Sequence, residues 1–133
     1  MTGNKIWKLR MPAVCLALIL SSVYGFSNAQ DFRRAPTPND TLKSIRVLQD
    51  GKVLFRVYAP KAAEVSFGGS DIQNVGEAAK MMKREDGVWE TTVGPVEPGS
   101  YRYNFSIDGV STIDPKNPST SESNDNTWSL VHI

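Results

Sequence analysis

Pro98-Gly99-Ser100-Tyr101-Arg102-Tyr103-Asn104-Phe105-Ser106-Ile107-Asp108-Gly109 carries the most regular pattern in the chain. Tyr101, Tyr103, Phe105 and Ile107 alternate with Arg102, Asn104 and Ser106. A period of two puts the large side chains on one face of a strand and the polar ones on the other. The stretch therefore predicts a central strand with its aromatic face in a core. It begins after Pro-Gly and ends at Asp-Gly, a dipeptide that suits a hairpin turn.

Short strand-like runs continue on both sides. Ser44 to Gln49 and Lys52 to Tyr58 flank Asp50-Gly51, read as a two-residue hairpin turn. Val53, Phe55 and Val57 alternate with Leu54, Arg56 and Tyr58, which gives one apolar face and one mixed face. Glu64 to Phe67 is a third strand, closed by Gly68-Gly69. Residues 70–79 read as a loop with room for one helical turn. Lys80 to Arg84 and Val88 to Val93 pair across Glu85-Asp86-Gly87, and Gly94 to Gly99 is a turn with two prolines. Val110 to Ile113 and Trp128 to Ile133 complete the set, joined by a polar connection through Pro115, Pro118 and residues 119–126. No window sustains a helical stripe. Seven or eight short strands with tight turns predict an all-β, immunoglobulin-like β-sandwich over residues 44–133. Phe55, Phe67, Trp89, Tyr103 and Phe105 are expected to form its core, each contributing about 1.5–3 kcal/mol when fully buried.

Residues 1–29 have a different character. Lys5, Lys8 and Arg10 precede an apolar run from Ala13 to Leu20, followed by Ser27-Asn28-Ala29. This is the pattern of a secretory signal peptide, with cleavage expected near Ala29-Gln30 and a secreted or periplasmic product. The apolar run is shorter than the roughly 20 residues of a bilayer span, so no stable membrane span is expected. Residues 30–43, with Arg33-Arg34, Pro36 and Pro38, read as a linker.

The composition excludes several functions. Of 15 Lys and Arg and 14 Asp and Glu, the part after the leader keeps 12 basic and 14 acidic residues. That balance supplies no cationic stripe for phosphate contacts, so nucleic acid is not an expected partner. One cysteine, Cys15, rules out a disulfide framework, and one histidine rules out a zinc pattern. There is no G-x-S-x-G elbow and no phosphate-binding loop, so no catalytic residue, metal ligand or cofactor is expected. The run from Glu122 to Asn126 lacks the order of a calcium loop, and His132 reads as a surface or interface side chain.

Taken in order, Val53 to Lys61, Val65-Ser-Phe-Gly-Gly69, Asp86-Gly-Val-Trp89, Pro98 to Gly109 and Asp114-Pro-Lys-Asn-Pro118 form a specific series. It resembles the early-set sandwich of carbohydrate-binding module family 48. In such modules Gly99, Tyr101, Tyr103, Phe105, Asp108 and Gly109 match scaffold positions. The starch- and glycogen-binding members have a tryptophan after the third strand's glycines, a lysine within the central strand and a tryptophan after the Asp-Gly turn. Here residues 68–76 contain no tryptophan, and Asn104 and Ser111 stand at the other two positions. The resemblance therefore implies the branch that precedes secreted feruloyl and acetylxylan esterases. Its implied partners are a plant cell-wall polysaccharide such as xylan and a serine-esterase catalytic domain in cis or in trans.

On that basis the candidate carbohydrate contacts are Trp89, Trp128, Tyr58, Arg102 and Asn104, because aromatic faces and planar polar groups hold sugar rings. Trp89 reads first as a packing residue, since large aromatics dominate small cores. The expected function is a non-catalytic carbohydrate-binding accessory domain. The alternative is a docking sandwich that packs on a catalytic partner through the mixed face of Leu54, Arg56 and Tyr58 and binds no sugar.

Overall fold

The alternating stretch becomes β6, Ser100–Ile107, in which Tyr103 and Phe105 are fully buried while Arg102 and Asn104 are half-buried. It belongs to a computed structural model that describes residues 2–3, 33–69, 71–73 and 75–133; apart from residues 2–3, the expected signal peptide lies outside the described residues. Ala35–Ile133 form one compact unit. Its strands are β1 (Ile45–Val47), β2 (Val53–Tyr58), β3 (Val65–Gly68), β4 (Met82–Lys83), β5 (Val88–Val93), β6, β7 (Val110–Thr112), β8 (Thr120–Glu122) and β9 (Thr127–His132).

The strands make two antiparallel sheets, as the alternation and turns require of a sandwich. The first runs β1-β2-β5-β4 and the second β3-β6-β9-β8, with β7 also paired to β6. β3 takes one edge of β6 from Asn104 to Ile107. β7 and β9 share the other edge in tandem, β9 along Ser100 to Tyr103 and β7 along Phe105 to Ile107. β6 is thus central, as its pattern predicts.

The core lies between the sheets. Phe55 of β2 meets Phe67 of β3 at 4.4 Å and Tyr103 of β6 at 4.9 Å between ring centroids. Phe105 closes the cluster edge-on against Phe67 and Tyr103. Val53, Val57, Val65, Val93 and Val131 fill the spaces around the rings. All five aromatics expected in the core are buried there.

Two sequence expectations change. β8 forms inside the segment read as a plain connection, making nine strands among the described residues. Its sequence, Thr120-Ser121-Glu122, has no apolar face to reveal it, and it is held by pairing with β9. The Asp50-Gly51 hairpin is one residue longer than expected. Val47 pairs with Val53 and Leu48 N–H donates to Lys52 O, which leaves Gln49, Asp50 and Gly51 as a three-residue loop with only Gly51 at positive φ (76°). Asp108-Gly109 is a true two-residue turn, with both φ values positive (49° and 84°) between the paired Ile107 and Val110.

Candidate functional site

The register of β6 and β9 decides which candidate residues meet. Ser100 pairs with His132, Tyr101 with Val131, Arg102 with Leu130 and Tyr103 with Ser129. Tyr103, Ser129 and Val131 are buried, so Arg102, Trp128, Leu130 and His132 fall on the outer face of the second sheet. Asn104 and Trp128 are the next residues beyond the Tyr103–Ser129 pair. Three of the five predicted contacts, Arg102, Asn104 and Trp128, therefore share one face.

The other two do not join them. Trp89 points into the core, 7% exposed, with its indole N–H donating to Ala59 O at 2.9 Å and the Lys83 ammonium 5.4 Å from its ring centroid. A ring enclosed in this way has no free face for a sugar. Tyr58 is half-buried on the outer face of the first sheet, opposite Val88. It lies across the sandwich from Trp128.

On the shared face the polar groups are held in place. The Arg102 guanidinium makes a two-pronged bond to Asp71, at 2.7 and 2.9 Å, and Asp71 also accepts the Arg102 backbone N–H at 3.3 Å. That hydrogen bond, and the charge behind it, raise the Arg102 pKa further above its ordinary value. Asn104 donates its amide to Ser111 Oγ at 2.8 Å. Ser100 Oγ and His132 Nδ1 lie 2.8 Å apart across the strands, both exposed on an open face. Trp128 is half-buried and pairs with Ser121 of β8. The result is a rigid surface with one indole, aliphatic Leu130 and several donors and acceptors, suited to stacking and hydrogen bonding.

A different chemistry lies on the buried side of the same strands. Tyr103 O–H donates to Asp114 Oδ2 at 2.6 Å and accepts from Asn117 Nδ2 at 3.1 Å. Asp114 is 2% exposed and its Oδ1 accepts Lys116 N–H, while Ser129 Oγ accepts Asp114 N–H. Asn117 also donates to Leu130 O. Burial first, and the Asp114 hydrogen bond second, push the Tyr103 phenol well above its usual pKa. The Asp114-Pro-Lys-Asn-Pro118 motif is therefore a scaffold element that anchors the β7–β8 connection to β6 and β9. Asp108 acts similarly, since its Oδ1 accepts Ala63 N–H and Glu64 N–H at 2.9 Å and ties the β6–β7 turn to the start of β3.

Sequence reading missed Asp71, the partner of Arg102, which lies 31 residues away in an irregular loop. Nothing local marks it. No group of three or more His, Cys, Asp or Glu among the described residues is placed to hold a metal ion. No helix among them is long and apolar enough to cross a membrane.

Comparison with known proteins bears on this geometry. Residues 45–125 match the family model described as carbohydrate-binding module 48 (isoamylase N-terminal domain). No curated protein matches the chain. Among solved structures, a putative alpha amylase from Salmonella typhimurium is 25% identical over 68% of this chain, with a TM-score of 0.53. A maltogenic amylase from S. marinus is 22% identical over 62% of the chain, with a TM-score of 0.51, and supports the fold alone. The chain spans 14% and 13% of the lengths of those two amylases. The matched span runs from β1 to just beyond β8 and takes in β6 with its Asp-Gly turn and the Asp114 motif; on that basis the chain belongs to the carbohydrate-binding module 48 family.

Proposed function

We propose that the chain is a non-catalytic, carbohydrate-binding accessory module of a secreted polysaccharide-degrading enzyme, and that it holds its polysaccharide on the outer face of the second sheet. The observation that carries this reading is the convergence of Trp128, Arg102 and Asn104 on one face in a member of a carbohydrate-binding family. Trp128, Leu130 and His132 recur along β9 every second residue, which spaces them roughly 6.8 Å apart at the usual antiparallel rise. Such a row suits an extended, ribbon-like chain of the xylan type. Asn104 and Ser111, which stand where starch-binding relatives place a lysine and a tryptophan, bond to each other. These departures favour a plant cell-wall ligand and a serine-esterase catalytic partner, while the neighbour described as a putative alpha amylase makes an α-glucan the competing ligand.

Affinity electrophoresis through gels containing xylan or glycogen tests the reading. Retardation by xylan is the expected result. Retardation by glycogen alone would move the ligand to the α-glucans and the partner to the amylases.

A second reading has its own support. The outer face of the first sheet carries half-buried Leu54, Arg56 and Tyr58, together with Met82, which is 75% exposed. A surface of this composition suits packing on a catalytic partner. Failure to migrate more slowly in either gel would favour that docking role and remove the carbohydrate function.

A further inference from the structure

β3 ends at Gly68, while β6 extends back to Ser100. The edge of β6 that β3 leaves behind is taken up by the loop around Asp71, which accepts the Arg102 backbone N–H. Between that loop and the Gly94–Glu97 turn lies a cavity of about 520 Å³. Its volume falls within the usual range for small-molecule sites, about 300–1,000 Å³.

The described residues of both walls are anchored. Val96 N–H donates to Gly51 O at 2.9 Å, which ties the turn to the β1–β2 hairpin. Tyr101 O–H donates to Glu97 O at 2.8 Å. Ile72 is 6% exposed and belongs to the core cluster, so the opposite loop is anchored by its own side chain. Asp71 is held by both prongs of Arg102. An open cleft between anchored walls spends little ordering entropy when it takes up a ligand.

The lining defines a ligand class. Ile72, Pro95, Val96 and the Tyr101 ring offer an apolar wall, and the Gln73 amide and Glu97 carboxylate are exposed at the rim. The nearby cation, Arg102, is matched by Asp71, so the remaining charge is that of Glu97. An acidic sugar is therefore repelled, whereas the hydroxyls of a neutral ring find acceptors beside an apolar surface. We propose that this cavity is a second saccharide site, for one or two neutral sugar rings, at the end of the sandwich and across the Arg102–Asp71 pair from Trp128. The proposal rests on the carbohydrate-binding reading and adds a site to it.

Titration of the 15N-labelled chain with xylohexaose, and separately with maltoheptaose, tests it by amide shifts. With either sugar, two groups of amides are expected to move: Asn104 and Trp128 on the sheet face, and Ile72, Val96 and Tyr101 around the cavity. The variant Gln73→Ala/Glu97→Ala alters two exposed side chains and keeps the Glu97 carbonyl that Tyr101 uses. It is expected to lose the cavity shifts and retain those on the sheet face. Movement of the sheet-face amides alone, or cavity shifts unchanged in the double variant, would overturn the second site and leave the parent reading standing. No movement with either sugar would remove both.

Discussion

The two faces of β6 present opposite solutions to carrying polar groups on one strand. On the inner face Tyr103 belongs to a cluster with Asp114, Asn117 and Ser129, in which each polar group has a partner and all but half-buried Asn117 are buried. On the outer face Arg102 and Asn104 are also partnered, but at the surface, where solvent and ligand compete for the same bonds. Removing a partner inside leaves a desolvated group unsatisfied; removing one outside exposes it to water. The inner face should therefore govern stability and the outer face binding.

Asp114→Ala is the severest test of that division. It takes the acceptor from Tyr103 O–H and from Lys116 N–H in a buried site, so a loss of about 3–5 kcal/mol is expected in urea unfolding. A loss below about 1 kcal/mol would mean that water reaches the cluster and that the two faces differ less than their burial implies.

Tyr103→Phe removes one donor to Asp114 and one acceptor for Asn117, and should cost about 2–3 kcal/mol. It also carries a pH signature. The fold raises the Tyr103 pKa above its unfolded value, so the neutral phenol is favoured in the native state. The resulting stability is fully present below the unfolded value near 10 and is lost as pH rises beyond it. Urea midpoints should fall between pH 9 and pH 11, and the fall should be shallower in Tyr103→Phe. Equal slopes in the two proteins would place the alkaline transition elsewhere.

Trp128→Ala reaches the outer face. Half-burial limits its cost to about 1 kcal/mol of stability, while retardation by the bound polysaccharide should weaken about tenfold, equivalent to roughly 1.4 kcal/mol. Unchanged retardation with an intact fold would move the sugar off this face.

Arg102→Gln should show the smallest effect on stability. It opens a surface ion pair with Asp71, for which only a small drop in melting temperature is expected. A much larger loss would show that the pair anchors the 69–73 loop and that the outer face shares the structural burden.

What was readable in advance follows the same division. The alternation of Val53 to Tyr58 marks the buried side chains, and that of Tyr101 to Ile107 marks the inner face, where Tyr103 and Phe105 are buried and Tyr101 and Ile107 pack partly buried against the core, because a period of two requires no knowledge of distant neighbours. Asp-Gly signals a turn at all three of its positions, 50–51, 86–87 and 108–109, but not the type. Asp108 takes positive φ while its carboxylate caps Ala63 and Glu64. Asp50 instead accepts the N–H of Lys52, two residues on, and pairs with its ammonium; this hydrogen bonding lowers the Asp50 pKa, and only Gly51 becomes left-handed. β8 is not legible in the sequence because its three residues have no apolar period and depend on β9 for their conformation. Trp89 reads first as a packing residue and is enclosed in the core, whereas nothing in the residue types of Tyr58 and Trp128 tells that they lie on opposite faces of the sandwich.

The sequence by itself determined a chain of short strands and tight turns, the aromatic identity of the core and the family motifs that build the scaffold. Those features depend on residues close in the chain, whose faces are set by backbone geometry. The tertiary structure alone decided that Trp128 joins Arg102 and Asn104 on one face, that Tyr58 lies across the sandwich from them, that Asp71 holds Arg102 and that the Asp114 motif closes over Tyr103. Each depends on register between segments remote in the chain, and register is fixed only when the two sheets bury their apolar faces together.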